Sequence, residues 1–305
     1  MMIRIGCCGF PTSMKKYFES FRLVELNSTF YNYPRERTVE GWREKAPENF
    51  EFTVKVHQDI SHKAKLKVEK TSLQAFEHMM QTCKTLNSKI LLIQTPSSFR
   101  PDRLGDAEKF FGAVNREDLV LVWETRGPAW ETVEVRNRLG EVLEKVDVTH
   151  VTEPFRVTPA YTGDVAYFRL HGLGERMYYY QYSDSELRKL KELISMYERE
   201  GKEAYVLFNN LSMFDDGLRF IEYLSKGVLP KITSSTGLGS IRSVVERTRY
   251  PASKSMVIKK LGWRLVEVEE GKQVRLGGIL NDLPSKTYTN AEELLNEVKT
   301  AKKIV

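Results

Sequence analysis

Short apolar runs alternate with amphipathic segments along most of the chain. Eight runs rich in β-branched or apolar residues predict strands. They cover Ile3–Cys8, Leu23–Asn27, Phe50–Val56, Ile90–Gln94, Leu119–Glu124, Val146–Thr152, Val165–Leu170 and Ala204–Phe208. Most connections have helical apolar spacing, most clearly in residues 72–86, 102–114, 186–200 and 213–225. The sixth connection, residues 153–164, is predicted to be a loop because it contains two prolines and a glycine.

Eight strands separated mainly by helices predict a parallel α/β fold. Eight is also the number of strands that closes a TIM barrel. An open doubly wound sheet is the alternative, but no glycine-rich phosphate loop follows the first strand. We therefore predict an irregular TIM (β/α)8 barrel over residues 1–230.

The pattern changes after Pro230. Residues 232–240 are small and polar and predict a loop or linker. Residues 250–262 predict a capped helix that ends at Gly262, residues 263–280 predict a β-hairpin, and residues 289–301 predict a final helix. Residues 231–305 are therefore expected to form a small αββα appendage.

Composition indicates a soluble, cytoplasmic protein with no membrane partner. The start of the sequence lacks the apolar region of a signal peptide, and the longest apolar runs are too short to span a bilayer. The chain has three cysteines, of which Cys7 and Cys8 are adjacent, so no disulfide framework is predicted. The sequence contains no signal for an oligomeric state.

Positive charge is concentrated in the last quarter of the chain. The net charge is +6, and residues 230–305 contain 14 Lys and Arg against 8 Asp and Glu, while the remainder is balanced. A basic segment of this kind suggests an anionic partner, nucleic acid first. A solvated basic surface explains the same asymmetry equally well.

Polar residues end or follow most of the predicted strands. They are Glu25, Asn27, Lys55, His57, Gln94, Glu124, Arg126, Arg169, His171, Asn209 and Asn210. In a TIM barrel these carboxyl ends converge on one mouth, where enzymes of this architecture hold their chemistry. A plug of ion pairs is the structural alternative, but six contributing strands are more than a plug requires. We therefore predict a functional site at the mouth.

The motifs that contain these residues resemble those of a known family. They are Gly6-Cys7-Cys8-Gly9-Phe10, VELNSTFYNYP at 24–34, the spacing Trp42, Pro47, Phe52 and Lys55, Ser61-His62, Gln94-Thr95-Pro96, Glu124-Thr125-Arg126 with Trp130, Arg169-Leu170-His171-Gly172 and Phe208-Asn209-Asn210. Together they are similar to the YecE-like family, domain of unknown function seventy-two, over about residues 3–225. The resemblance implies an irregular TIM barrel similar to the endonuclease-IV and xylose-isomerase group, and no established reaction.

Two parts of the sequence depart from or add to this resemblance. The family's usual opening is Gly-Thr-Ser-Gly-Trp, so a role that needs a hydroxyl or an indole at residues 7–10 is in doubt. Residues 250–254 and 279–298 weakly resemble another small helical domain of unknown function, in which the predicted hairpin would be an insertion.

Two carboxylates and two proton donors are the candidate catalytic groups. Glu25 or Glu124 is the candidate general base, and Lys55 or His171 is the candidate general acid. No predicted helix carries an HxxxH or HxxE pair, and the many cationic groups oppose a multi-metal centre, so we predict metal-independent chemistry and no cofactor. A divalent metal is the alternative, with ligands from His57, His62, His171, Glu25 and Glu124.

Arginines beside a lysine suit the recognition of phosphate or carboxylate groups. Arg126 and Arg169 are therefore candidate ligand-binding residues, although a salt bridge to Glu25 or Glu124 explains each equally well. The other candidates are amides that can bond to sugar hydroxyls or base edges, and a tyrosine that can stack on a base or pack over the barrel end. They are Asn27, Gln94, Asn209, Asn210 and Tyr180.

These residues favour a protein that binds a phosphate-bearing ligand, such as nucleic acid, at the mouth of the barrel. Metal-independent hydrolysis of that ligand is the enzymatic form of this hypothesis. A module that recognises a metabolite or RNA without catalysis, and a sugar-phosphate enzyme, are the alternatives.

Overall fold

Eight parallel strands form the central sheet of the structure, a computed structural model that describes residues 3–302. The strands are β1 (Ile3–Cys8), β2 (Leu23–Leu26), β3 (Glu51–Lys55), β4 (Ile90–Gln94), β5 (Val120–Glu124), β6 (Thr149–Val151), β7 (Val165–Leu170) and β8 (Glu203–Phe208). Each coincides with a predicted strand, although several are shorter than predicted. The periodicity of the sequence was therefore sufficient to find every strand of this sheet.

The sheet closes on itself almost completely. Its strand order is β6-β5-β4-β3-β2-β1-β8-β7, so β6 and β7 form the two edges. Thr152 and Phe168 make a parallel bridge between these edges, and the backbone N–H of Arg169 donates to the carbonyl oxygen of Thr152 at 3.0 Å. The predicted TIM-barrel fold is confirmed.

Helices lie between most of these strands in sequence. They are α1 (Met14–Ser20), α2 (Ser28–Tyr31), α3 (Glu36–Lys45), α4 (Lys70–Leu86), α5 (Leu104–Ala113), α6 (Val133–Val146) and α7 (Asp184–Arg199). A π-helical turn at Asp59–Lys63 and 3-10 turns at Pro101–Arg103 and Pro128–Trp130 are also present. The sixth connection contains no helix, as predicted. In residues 3–302, no helix has the length and hydropathy needed to cross a bilayer.

Local sequence explains where α4 begins and ends. Glu69 and Ser72 form a reciprocal capping box at its amino end, which satisfies backbone N–H groups that have no partner inside the helix. Asn87 ends the helix in the left-handed conformation, with φ of 53°, a conformation that asparagine adopts more readily than most residues. The predicted helix over residues 72–86 is therefore confirmed.

Alternate strand residues form an apolar cluster on the inward face of the barrel. They are Cys8, Leu23, Ile90, Leu92, Val122, Val151, Val165, Tyr167, Tyr205 and Leu207. Gly6 lets β1 approach β2 closely, because a Cβ atom at this position would lie 2.4 Å from the carbonyl oxygen of Leu23. Since strand side chains alternate, a polar residue two positions beyond a member of this cluster also points inward, at the carboxyl end of its strand.

The chain divides into two compact units. The first comprises residues 3–170 and 190–209 and contains the whole barrel sheet. The second comprises residues 171–189 and 210–302. Residues 210–230 thus belong to the second unit by their contacts, while the predicted domain boundary after residue 230 stays a prediction.

The second unit has an apolar core of its own. Its elements after residue 209 are α8 (Met213–Lys226), α9 (Gly237–Val245), β9 (Ala252–Ser253), α10 (Lys254–Leu261), β10 (Leu265–Glu269), β11 (Lys272–Arg275), α11 (Leu276–Asn281), β12 (Thr287–Tyr288) and α12 (Ala291–Lys302). The core includes Ile241, Val257, Val266, Leu280 and Leu294, so residues from every part of the tail contribute to it.

Most of the predicted appendage is confirmed, and one segment is corrected. The hairpin of β10 and β11, the capped helix α10 and the final helix α12 lie where the sequence placed them. The loop predicted over residues 232–240 was wrong at its end, because α9 begins at Gly237. Its glycines and serines have low helix propensity, but Ile241, Val244 and Val245 are buried in the core of the second unit, and this packing stabilises the helix. The sequence also missed α11 and the pairing of β9 with β12.

Candidate functional site

A connected group of polar side chains lies at the carboxyl ends of β2, β3, β4, β5 and β7. We call it the strand-end cluster. It comprises seven of the predicted site residues, namely Glu25, Asn27, Lys55, Gln94, Glu124, Arg126 and Arg169. All seven belong to the first unit, and they are held by hydrogen bonds, ion pairs and electrostatic contact. The predicted convergence of strand ends therefore brings these residues together.

Arg169 lies at the centre of the cluster, between two carboxylates. Its Nη2 atom lies 2.8 Å from Oε1 of Glu25, and its Nη1 atom pairs with Oε2 of Glu124. The guanidinium is 1% exposed and Glu25 is 0% exposed. Burial alone lowers the pKa of Arg169, but the two glutamates outweigh it and hold the pKa well above its ordinary value. Arg169 therefore carries a permanent charge that is neutralised inside the protein.

Glu25 accepts hydrogen bonds through both of its carboxylate oxygens. The hydroxyl of Tyr167 donates to Oε2 at 2.8 Å, and the side-chain amide of Asn27 donates to Oε1 at 3.0 Å. Tyr167 also shares a 2.8 Å hydrogen bond with the hydroxyl of Thr53. These hydrogen bonds fix the position of the Glu25 carboxylate, because each of its two oxygens accepts from a separate donor.

Tyr167 and Thr53 belong to this network although the sequence analysis did not select them. Each stands two residues before a predicted site residue on the same strand, Tyr167 before Arg169 and Thr53 before Lys55. Strand alternation therefore places both on the inward face, and this signal could have identified them.

Glu124 joins a second arginine to the network. Its Oε1 atom lies 2.9 Å from Nη2 of Arg126, and its other oxygen pairs with Arg169. The side chain of Arg126 is 19% exposed, against 2% for Arg169. Arg126 is therefore the arginine of the cluster that solvent reaches.

Lys55 has a neutral hydrogen-bond partner. Its Nζ atom donates to Oε1 of Gln94 at 2.7 Å and lies 4.3 Å from the ring centroid of Phe30. Lys55 is 8% exposed, and it takes part in no ion pair within residues 3–302. Burial and then the charge of Arg169 lower its pKa from 10.5 to about 8, although Glu25 and Glu124 act in the opposite direction.

Cys8 completes the inner wall of the cluster at the end of β1. Its thiol lies within electrostatic reach of Glu25 and Arg169. Burial and then the charge of Glu25 raise the pKa of the thiol well above its ordinary value. This environment suits a packed, neutral thiol better than a nucleophilic thiolate.

His57, two residues after Lys55, is engaged outside the cluster. Nδ1 of His57 accepts the backbone N–H of Asp59 at 3.2 Å, and its ring stacks on Tyr33 with centroids 3.8 Å apart. Among the described side chains, no group of three or more His, Cys, Asp or Glu is arranged to hold a metal ion. The cluster instead combines carboxylates with cations, a donor set that suits anions better than metals.

The remaining predicted site residues lie in or beside the second unit. Asn209 ends the first unit, and its backbone N–H donates to the carbonyl oxygen of Leu170 at 2.8 Å. In the second unit the side chain of Asn210 donates to the carbonyl oxygen of Tyr180 at 2.8 Å, which gives Asn210 a role in holding the tyrosine segment. His171 is buried there, with its ring 5.8 Å from that of Tyr178. The catalytic and ligand-binding roles of all these residues stay predictions.

Comparison with known proteins assigns the chain to a family. The family model described as "Protein of unknown function DUF72" matches residues 9–233, which is most of the chain. The chain belongs to this family. A second model, "Family of unknown function (DUF5789)", matches residues 236–302 of this DUF72 chain.

Individual relatives agree with this assignment. The UPF0759 protein YunF of Bacillus subtilis is 24% identical over 277 residues, which are 75% of the DUF72 chain and 98% of YunF. A crystal structure of a DUF72 family protein from Thermotoga maritima is 28% identical, with a TM-score of 0.61 over 74% of this chain and all of the other. A DUF72 family protein from Enterococcus faecalis, at 22% identity and a TM-score of 0.60, shares the fold. The resemblance seen in the sequence motifs is thus confirmed.

Proposed function

We propose that the strand-end cluster binds a small phosphate-bearing ligand. The observation that carries this proposal is the buried ammonium group of Lys55, which has a neutral partner in Gln94. A buried charge without a counter-ion is unfavourable, and an anionic ligand would supply that counter-ion.

The charge balance of the cluster supports an anionic ligand. Two carboxylates, Glu25 and Glu124, offset two guanidiniums, Arg126 and Arg169, through the ion pairs described above. Lys55 is then the surplus cation. An anion that binds at the cluster meets one net positive charge in a site that is largely shielded from water, where its attraction is stronger than in solvent.

The partly exposed members of the cluster suit a phosphate with a polar substituent. Arg126 can offer a planar fork of donors to phosphate oxygens, and Lys55 can add a compact charge. Asn27 and Gln94 are both partly exposed, so their amides can bond to hydroxyl groups or to the edge of a base. A nucleotide or a sugar phosphate combines these features.

Hydrolysis of a phosphate ester is the catalytic form of this proposal. Lys55 is the group to which we assign proton transfer, because a pKa of about 8 lets it exchange a proton near neutral pH. In this step water attacks phosphorus, the bond from phosphorus to the leaving oxygen breaks, and protonated Lys55 gives its proton to that oxygen. The proton released by the attacking water passes to solvent, from which Lys55 is protonated again. Both oxygens of Glu25 accept hydrogen bonds, so we assign Glu25 to positioning of Arg169.

Direct binding measurements test the proposal. Isothermal titration calorimetry with inorganic phosphate, a nucleoside monophosphate and a sugar phosphate should detect binding to the wild-type chain. Lys55→Met should lower the affinity at least about tenfold, since it removes a charge-assisted hydrogen bond. Lys89→Met is the matched control, because Lys89 is an exposed lysine that precedes β4 at the opposite end of the barrel.

Three results would overturn the proposal. They are an absence of binding across the panel, equal affinity in Lys55→Met and wild type, and equal losses in Lys55→Met and Lys89→Met. Turnover of the same phosphate esters, measured by release of inorganic phosphate with and without a chelator, separates an enzyme from a binding module.

A further inference from the structure

Two aromatic rings of the second unit contact each other, and an arginine lies against each ring. The guanidinium of Arg176 lies 3.2 Å from the ring centroid of Tyr179. Tyr179 meets Trp263 edge to face with centroids 6.2 Å apart, and the guanidinium of Arg264 lies 5.2 Å from the Trp263 ring. We call these four residues the arginine–aromatic row. We propose that the row and the basic segment beside it form a binding surface for single-stranded nucleic acid.

The surplus positive charge of the tail lies next to this row. Several basic residues of the tail are neutralised by ion pairs, such as Arg242 with Glu292 and Lys286 with Glu293 and Glu297. Seven others take part in no ion pair within residues 3–302. They are Arg247, Arg249, Lys254, Lys259, Lys260, Arg264 and Lys299. Most of the charge that remains available to a partner therefore falls within residues 247–264, the segment that contains Trp263.

Two arginines of this segment, Arg247 and Arg264, lie within electrostatic reach of each other. Burial, and then the neighbouring charge of Arg247, lower the pKa of Arg264. Asp215 and Asp216 act in the opposite direction, but they do not restore the pKa to its ordinary value. Two like charges are thus held close together, an arrangement that the phosphates of a nucleic-acid backbone would relieve.

The rings are held in place rather than loosely exposed. Nε1 of Trp263 donates to the carbonyl oxygen of Lys260 at 2.8 Å, and Arg275 donates to the carbonyl oxygen of Trp263 at 2.9 Å. Trp263 and Tyr179 are both half-buried, so each keeps part of its surface open to solvent. A rigid ring costs less conformational entropy when a base stacks on it.

A strained tyrosine lies in the same segment as Tyr179. Tyr178 is 39% exposed and has φ of 70°, a left-handed conformation that is rare for a bulky residue. Two backbone hydrogen bonds hold it there, from Tyr178 N–H to the carbonyl oxygen of His171 at 3.0 Å and from Leu211 N–H to the carbonyl oxygen of Tyr178 at 2.8 Å. Strain that is maintained at an exposed aromatic residue favours a binding role for this segment.

Single strands fit this surface better than duplexes. Stacking on protein rings requires unpaired bases, which a single strand offers along its length and a duplex hides. The two rings can contact neighbouring bases while the arginines that flank them contact phosphates. The proposal concerns the second unit alone and does not depend on the ligand of the strand-end cluster.

Fluorescence anisotropy with the full-length protein tests this inference. Labelled oligo(dT), oligo(rU) and a duplex of equal length are titrated at several salt concentrations. Trp263→Ala should lower the affinity for single strands about tenfold, the effect of losing one stacked base, while Trp263→Phe should retain most of it. Arg176→Glu should weaken binding and reduce the salt slope by about 0.7, the value expected for one phosphate contact.

Lys226→Glu is the matched control for Arg176→Glu. Lys226 is an exposed cation at the carboxyl end of α8, whereas Asp215 and Asp216, the neighbours of Arg264, lie in the first turn of that helix. Thermal unfolding of each variant shows that it is folded. The inference fails if wild type does not bind either single strand more tightly than the duplex. It also fails if Trp263→Ala binds as wild type does, or if Lys226→Glu and Arg176→Glu lose the same affinity.

Lys55→Met separates the two proposals. It should leave oligonucleotide anisotropy unchanged while it abolishes phosphate binding, and Trp263→Ala should do the reverse. If Lys55→Met alone removes oligonucleotide binding, the nucleic acid binds at the strand-end cluster, and the surface proposed for the second unit is wrong.

Discussion

The ammonium group of Lys55 donates to the side-chain carbonyl oxygen of Gln94 at 2.7 Å, at the ends of two neighbouring strands of the barrel. This pair differs from the other contacts of the strand-end cluster, in which cations bind carboxylates. Burial and the charge of Arg169, opposed in part by Glu25 and Glu124, lower the pKa of this lysine to about 8. The folded protein therefore keeps an unfavourable buried charge, which is typical of groups retained for function.

Replacement of Lys55 should stabilise the protein while it removes ligand binding. A pKa lowered from 10.5 to about 8 corresponds to a penalty of roughly 3 kcal/mol at neutral pH. Loss of the hydrogen bond to Gln94 offsets about 1 kcal/mol of the resulting increase in the free energy of unfolding. Lys55→Met should thus unfold at a higher denaturant concentration than wild type at pH 7, and Lys89→Met should not. A clear loss of stability in Lys55→Met would indicate that the lysine is part of a structural polar plug.

The stability of the wild-type protein should rise between about pH 8 and pH 10.5 because of Lys55. In this window the unfolded lysine still binds a proton and the folded one has lost it, so the free energy of unfolding increases with pH. The difference in free energy of unfolding between wild type and Lys55→Met should shrink over the same window. Chemical denaturation of both proteins at several pH values measures this difference. A difference that stays constant with pH would contradict the lowered pKa of Lys55.

Removal of Arg169 should destabilise the protein strongly. Arg169→Met leaves Glu25 and Glu124 buried without their shared counter-ion, a change that typically costs about 3–5 kcal/mol. Addition of Glu124→Gln should recover part of this loss, because it removes one of the two carboxylate charges that Arg169 had neutralised, although Glu124 also pairs with Arg126. The free energies of unfolding of both single variants and the double variant form a double-mutant cycle. Strict additivity would show that Arg169 and Glu124 are not energetically coupled.

Asp216 should make the stability fall as pH rises from about 4 to about 7. Burial, opposed by the hydrogen bond from Asn210, raises the pKa of this carboxyl from 3.8 to about 7. Between pH 3.8 and about pH 7 the folded state therefore binds more protons than the unfolded state. The stability that protonated Asp216 contributes is fully present below pH 3.8 and is lost above about pH 7. Asp216→Asn should flatten this part of the stability profile. An identical pH profile in Asp216→Asn and wild type would exclude this assignment.

Tyr178 should be replaceable by glycine with a gain in stability. Glycine adopts φ of 70° without the steric cost that a side chain imposes, which is about 1 kcal/mol for a left-handed residue. Tyr179→Gly is the matched control, because Tyr179 has a negative φ and holds Arg176 and Trp263. Thermal unfolding should place Tyr178→Gly at or above wild type and Tyr179→Gly below it. The opposite order would mean that the contacts of Tyr178 outweigh its backbone strain.

The sequence was sufficient for features that neighbours along the chain determine. The eight strands of the barrel were predicted because their apolar and β-branched residues form short runs, and helices such as α4 have clear apolar spacing. The carboxyl ends of parallel strands must lie at one end of a barrel, so the grouping of Glu25, Lys55, Glu124 and Arg169 could also be predicted. The family motifs depend on the same local stretches and were recognisable for the same reason.

The tertiary structure alone decided which partner each polar group has. Arg169 and Glu25 are 144 residues apart in sequence, and nothing local indicates that this arginine takes two carboxylates while Lys55 takes an amide. The helix α9 and the approach of Tyr179 to Trp263 depend likewise on packing between distant segments. Periodicity is encoded by adjacent residues, whereas the choice of partner depends on strand order, side-chain direction and burial, and these exist only once the chain has folded.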